Sequence, residues 1–287
     1  MNVGVIGAGT VGMAIAVLLQ RAGHRIVGIS GRAKTRGRAS SYLPGVSFLE
    51  PAEAASPAEL VVIGTPDDVI ERTAEALTAA GTLGPGTSVT HLSGSLGLEV
   101  LRAPSEAGAR ILAVHPLQTF PDVDSAMEGL PGCAIAVTAE DDDGYLLGER
   151  LAGDVHGVPF RLANDLRPLY HVAAVFASNY LVTASAIAES LFAAAGVPDP
   201  AQAMAPLQRA SLEHVERLGS AQALTGPTVR GDAGTIRRNL EALERHEPGL
   251  VPPYVAMARA TLDLAERSGR LPPGSRVAVE DVLDAWS

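Results

Sequence analysis

The chain has 287 residues, enough for two domains with a core each, and 47% of them are apolar, an ordinary share for a globular protein. A net charge of −10 and a pI of about 5.2 leave no basic excess for nucleic acid or an anionic membrane surface. The single cysteine, Cys133, excludes a disulfide framework and a multi-thiolate metal site, and its apolar surroundings at 133–137 predict a buried thiol.

From residue 1 to about 163 the pattern alternates strand and helix. Strands are predicted at 2–6, 25–30, 60–64, 88–92, 110–114, 134–138 and 159–162, mostly as short β-branched runs without alternation. Helices are predicted between them at 10–22, 67–80 and 141–152. This order implies a doubly wound, parallel α/β sheet. The first residues show no basic segment ahead of an apolar core and small-residue cleavage site. No signal peptide is therefore expected, and a cytoplasmic location is.

Between the first strand and first helix stands Gly7-Ala8-Gly9-Thr10-Val11-Gly12, a G-x-G-x-x-G turn in the context that dinucleotide binding requires. Gly7 permits the tight turn, Gly9 lets the backbone approach a pyrophosphate, and Gly12 lets helix and strand pack closely. The helix N-terminus offers unpaired N–H groups to the anion. Ser30-Gly31-Arg32 follows the second strand, where an NAD site places a carboxylate, and the first acidic residue after the turn is Glu50. Ser30 and Arg32 suit a 2′-phosphate, so NADP is expected over NAD.

Ligands of such sheets lie past the carboxyl ends of the strands. Thr65 and Pro66 follow the third strand and are expected against the adenosine ribose or the nicotinamide. Ser93 follows the fourth strand and His115 ends the fifth. Both are candidates to converge near the hydride-bearing carbon, His115 as acid or base and Ser93 to orient. His91 is expected to face its strand's neighbours.

After residue 163 the strand signal stops, so domains are expected at 1–163 and 164–287, the second all-α. One long helix is predicted over 166–195, followed by helices at 201–218, 233–245 and 253–268, with Asp232 as an N-cap. On the long helix, His171, Ser178 and Asn179 share a face; His171 is a second acid/base candidate and Asn179 a substrate contact. Residues 172–188 carry no charge, and this stretch is expected in the domain's own interior or at a subunit interface rather than in a membrane. A homodimer through these helices is the expectation. Arg230, in the loop 226–232 ahead of a helix, is a candidate clamp for a substrate carboxylate. No spacing of ligating residues points to a metal.

The segments 169–181, 224–232 and His115-Pro116-Leu117-Gln118-Thr119-Phe120 together resemble an uncharacterised family. Its members join a Rossmann domain, similar to that of deazaflavin-dependent NADP oxidoreductases, to a helical domain of unknown function. Ser93, His115 and Arg230 also match, one by one, a serine, a His-Pro histidine and a loop arginine of the more distantly similar prephenate dehydrogenases. Hydroxyacid dehydrogenases of similar architecture use a lysine in the helical domain. Here Lys34 is the only lysine, so that chemistry is closed unless His171 substitutes. Pyrroline-carboxylate and imine reductases share the architecture and depend less on a side-chain acid.

The resulting expectation is an NADP(H)-dependent oxidoreductase acting on a small carboxylate-bearing C=O or C=N substrate in an interdomain cleft. The alternatives are hydride exchange between NADP and a deazaflavin, and an NADP(H)-binding sensor without turnover.

Overall fold

The structure, a computed structural model, describes residues 1–286. Seven strands form one sheet: β1 (Asn2–Ile6), β2 (Arg25–Ser30), β3 (Leu60–Ile63), β4 (Ser88–His91), β5 (Arg110–Pro116), β6 (Ala134–Ala139) and β7 (Val158–Arg161). Their order is β2-β1-β3-β4-β5-β6-β7. The chain leaves β1 in one direction for β2 and in the other for β3, which makes the carboxyl ends of β1 and β3 the switch point where such sheets bind ligands.

The seven predicted strands are all present. One relation differs from a purely parallel sheet: β6 runs antiparallel to β5, with Pro116 opposite Ile135. The connection carries a single short helix and re-enters beside the end of β5, where the Leu117 N–H donates to the Ala134 carbonyl at 2.8 Å. A parallel return would have to cross the sheet's full length again.

Alternation along the strands feeds two cores. Val3, Val5, Val62, Leu112 and Val114 face one side, where they pack with Met13, Ala14 and Leu18 of α1 (Thr10–Arg21). Val61, Ile63, Val89, Ile111 and Ala113 face the other, against α2 (Pro51–Ala55) and α3 (Asp67–Ala79). Burial of each such aliphatic side chain contributes about 1.5–3 kcal/mol. The first side is completed by α4 (Val123–Gly129) and α5 (Asp142–Asp154).

By internal contacts the chain divides into two compact units, with Met1–Leu181 as the first. The division falls beyond residue 163 because the next segment is tied to the sheet's loops. Asn164 accepts from the Leu98 N–H at 2.7 Å, and the Arg167 guanidinium donates to the carbonyls of Ser93 and Leu96.

The single helix expected at 166–195 is two, α6 (Arg167–Ala177) and α7 (Asn179–Ala194). Ser178 breaks it at φ −124°, ψ −67°. Ser178 and Asn179 are types whose side chains compete for backbone hydrogen bonds and disfavour helix interiors. Burial within the chain's own domain, one of the two expectations for this run, is not found: no residue of α7 is buried. Asn164–Ala194 is also a helical stretch long and apolar enough to cross a membrane, with a mean hydropathy of 1.3.

The second unit holds α8 (Pro200–Leu218), α9 (Ala233–His246), α10 (Val251–Arg267) and α11 (Ser275–Asp284). Its core joins Ile236 and Leu240 to Val255, Leu262, Val279 and Leu283. Asp232 caps α9 as expected, accepting from the Thr235 N–H at 2.9 Å.

Candidate active site

The glycine turn follows from close packing of β1, α1 and β3. Gly7 has φ +115°, and a Cβ there would stand 2.5 Å from the Gly64 carbonyl. A Cβ on Gly12 would strike the Gly7 carbonyl. Gly9 is different, since its Cβ would meet nothing nearer than the Gly64 oxygen at 3.9 Å. Packing inside the protein does not demand glycine there. Its bare backbone opens onto a cavity of about 600 Å³.

That cavity is lined by Gly7, Ala8, Gly9, Thr10 and Val11, by Ser30, Gly31, Arg32 and Thr35, by Glu50 and Pro51, and by Gly64, Thr65 and Pro66. Every residue expected to hold the dinucleotide lines it except Gly12, which packs beneath the turn. No side chain caps α1 and no acidic residue stands in its first turn, so its N–H groups and positive dipole end face an anion without competition. The Ser30 carbonyl accepts from the N–H groups of Gly7 and Ala8 at 2.9 and 3.0 Å, which fixes the turn against β2. The Thr65 hydroxyl is buried without a hydrogen-bond partner. Such a group points to a ligand or ordered water. The residues therefore fit a dinucleotide.

Glu50 is a wall residue that sequence reasoning missed. Its segment returns beside β2 through an isolated bridge between Ile29 and Phe48. Its side chain forms a capping box at the start of α2. The Arg36 guanidinium lies over the Phe48 ring, 4.7 Å from its centroid, which leaves Arg32 as the arginine on the cavity wall.

A second cluster gathers past β4 and β5. Ser93 is buried; its hydroxyl donates to Asp67 Oδ2 at 2.6 Å and accepts from the N–H groups of Ser95 and Leu96. It is occupied in shaping the loop 93–97. His91, fully buried, accepts from the Ser93 N–H through Nδ1 and donates through Nε2 to the Gly97 carbonyl at 3.0 Å. Burial first, then Arg167, hold its pKa down to about 4.

His115 Nδ1 lies 2.8 Å from the Tyr170 hydroxyl. Burial, followed by the charges of Arg167 and His171, lowers its pKa to about 4, so the imidazole is neutral through the physiological range. Burial pushes Tyr170 up to about 12. The rings of His115 and His171 stand 6.4 Å apart, edge to face.

Arg167, Tyr170 and His171 share one turn of α6, the i, i+3, i+4 positions of a helix face. Arg167 is fully buried and also donates to Thr138 Oγ1 at 3.0 Å. Burial lowers its pKa to about 10, so it stays charged. Arg167 and Tyr170 were not foreseen as site residues. The available signal was their spacing from His171, one and four residues before it on the same face. The face of His171, Ser178 and Asn179 expected from the sequence is cut by the break at Ser178, and Asn179 opens α7 with its side chain exposed. Arg230 is exposed in the second unit, in a loop between Gly226 and Gly231, both at positive φ. Among the described residues no group of three His, Cys, Asp or Glu is placed to hold a metal ion.

Residues 1–116 match a Rossmann-like domain, and residues 133–261 match a domain of unknown function, DUF2520. No curated protein matches the chain. Among solved structures, a candidate NADP oxidoreductase from Bacteroides fragilis is similar at TM-score 0.76 and 21% identity, over 91% of this chain and 98% of that one. A Thermotoga maritima protein is similar at 0.71 and 22%, over 94% and 100%. An imine reductase from Myxococcus stipitatus, solved with NADP+, is similar at 0.63 and 16%, over 100% and 99%. At these identities the likeness is one of fold, and function has to be argued from the site.

Proposed function

We propose that the chain is an NADP(H)-dependent oxidoreductase that moves a hydride to or from a small, carboxylate-bearing C=O or C=N substrate. The observation that carries this reading is the cavity at the β1/β3 switch point, with Gly9 open onto it, Thr65 unpartnered in its wall, and Ser30 and Arg32 at the end of β2. The likeness to the Bacteroides protein and to the imine reductase supports it at the level of fold. The cofactor, when bound, supplies or accepts the hydride.

The chain's own residues do the rest. The 7–12 turn and the N-terminus of α1 hold the pyrophosphate, and Ser30 and Arg32 take the 2′-phosphate. Thr65 and Pro66 border the bound dinucleotide. His115 exchanges the proton that accompanies hydride movement, with His171 beside it. Ser93 keeps the loop 93–97 in shape, and Arg230 and Asn179 are assigned to the substrate's polar groups. Titration calorimetry with NADPH and NADH tests the reading: NADPH should be the tighter ligand, and absence of binding by either overturns it.

The reading includes a homodimer formed through α6 and α7, in the cytoplasm. Val172, Phe176 and Val182 are 50%, 61% and 67% exposed on a run without charge from 172 to 188. A face of this kind marks an interaction surface, and a second copy buries it with closed two-fold symmetry.

A further inference from the structure

We propose that Tyr170 fixes His115 in the tautomer that carries its proton on Nε2, and that the site is built for a carbonyl oxygen rather than an iminium nitrogen. The inference rests on the oxidoreductase reading above and chooses between its two substrate classes.

The tautomer follows from the hydrogen bond. Tyr170 Oη and His115 Nδ1 are 2.8 Å apart, with the two rings edge to face at 86°. A phenol O–H is a far stronger acid than a neutral imidazole N–H and is the better donor. Tyr170 therefore donates, Nδ1 accepts, and the ring proton resides on Nε2. His115 stays neutral down to about pH 4 and Tyr170 stays protonated up to about pH 12, so the arrangement holds across the working range.

Nε2 faces Gly94. A Cβ on Gly94 would stand 2.7 Å from His115 Nε2 and 2.9 Å from His171 Nδ1, so both nitrogens lie against the bare Cα of Gly94, close to one another. His171 Nδ1 is buried there without a partner. A donor beside an unsatisfied buried polar atom points to a ligand or an ordered water next to the pair.

Charge selects the ligand. The groups that act on His115 are Arg167, His171, Asp67, His91 and Tyr170. Arg167 is fully buried, and its hydrogen bonds go to neutral oxygens of Leu96, Ser93 and Thr138. Of the two carboxylates that act on Arg167, Asp67 accepts from the hydroxyls of Ser93 and Ser95, and Glu99 accepts from the Gly97 N–H and the Asn164 amide. An iminium cation would meet the Arg167 charge with no unshared carboxylate to offset it. A carbonyl oxygen that turns negative as its carbon receives hydride gains from the same charge.

The proton then moves along the pair. The carbonyl carbon gains hydride and the C=O π electrons pass to oxygen, which takes the proton from His115 Nε2. Nδ1 takes one from Tyr170 Oη, leaving a phenolate favoured by Arg167; after the alcohol leaves, Nε2 takes a proton from water and Nδ1 returns its own to Oη, which restores the Nε2–H tautomer. Carbonyl, hydride and one solvent proton yield the alcohol. Tyr170 is thus a positioning and relay residue acting through His115.

Nitrogen-15 NMR of histidine-labelled protein, with His115 identified by its loss in His115→Asn, reads the tautomer directly. The wild type should show neutral His115 with Nε2–H from about pH 8 to about pH 5. Tyr170→Phe should populate Nδ1–H and lower kcat/KM for 2-oxo acids ~10–100-fold, with NADPH affinity unchanged. A wild-type Nδ1–H tautomer, or a protonated ring at pH 7, overturns the proposal. So does faster turnover of a cyclic iminium substrate than of any 2-oxo acid. Failure of NADPH to bind instead overturns the oxidoreductase reading, and with it the carbonyl assignment, while the tautomer is still decided by the spectrum.

Discussion

Arg32 is the cationic side chain that stands on the wall of the dinucleotide cavity, with Ser30 beside it. A charged hydrogen bond to the 2′-phosphate is worth about 1.5–3 kcal/mol, so NADPH should bind more tightly than NADH by that amount. Arg32→Ala should remove most of the gap in parallel calorimetric titrations. A gap that survives the substitution would assign the preference elsewhere. His115→Asn keeps a polar group of similar reach but no titrating ring, and should lower kcat by ~10²–10⁴ with NADPH affinity nearly unchanged. Because His115 is held neutral to about pH 4, its titration should put no inflection near pH 6.5 in the pH profile of kcat/KM. An inflection there, absent from His115→Asn, would show that the free enzyme's imidazole is not held in this way.

At the scale of elements, the first turn of α6 reaches into the sheet domain. Arg167 spans the loop 93–97 and Thr138 on β6 with one guanidinium. Arg167→Met would keep much of the apolar stem and leave two buried carbonyls without donors. At ~1–3 kcal/mol for each unsatisfied group, the denaturant midpoint should fall by the equivalent of about 2–6 kcal/mol. An unchanged midpoint would show that water replaces the guanidinium. The apolar run of α6 and α7 makes a second prediction at this scale. Light scattering at micromolar concentration should give a dimer mass, and Phe176→Glu should reduce it to a monomer. A monomer for the wild type contradicts the dimer, and binding of that monomer to lipid vesicles would assign the run to a membrane surface.

The sheet was legible in the sequence because buried parallel strands read as short β-branched runs between glycine-marked turns. The cavity wall was legible for a similar reason: Gly7 to Val11 and Thr65 follow strand ends, and Ser30 closes one. The antiparallel β6 was not, since strand direction depends on how the connection 117–133 packs and leaves no trace in periodicity. Glu50 and Arg167 were missed because each reaches its site through a long-range contact. The bridge of Phe48 to Ile29 sets the first, and the hydrogen bonds of Arg167 to Ser93 and Leu96 set the second.

For the whole molecule, one buried and one half-buried histidine shape the response to acid. His91 and His115 have folded pKa values lowered from 6.5 to about 4, so between those values the unfolded chain binds more protons than the folded one. Their contribution to stability is complete above about pH 6.5 and is lost as pH falls towards 4. Urea midpoints measured across that window should report uptake of about two protons on unfolding from these residues, reduced by about one in His115→Asn. The same imidazole links stability to chemistry, and chemistry is the central claim. NADPH oxidation measured across 2-oxo acids, cyclic imines and a deazaflavin, with wild type and His115→Asn side by side, tests that claim most directly. Turnover of at least one 2-oxo acid by the wild type, lost in the variant, is the predicted result; tight NADPH binding with no turnover of any of them would contradict it.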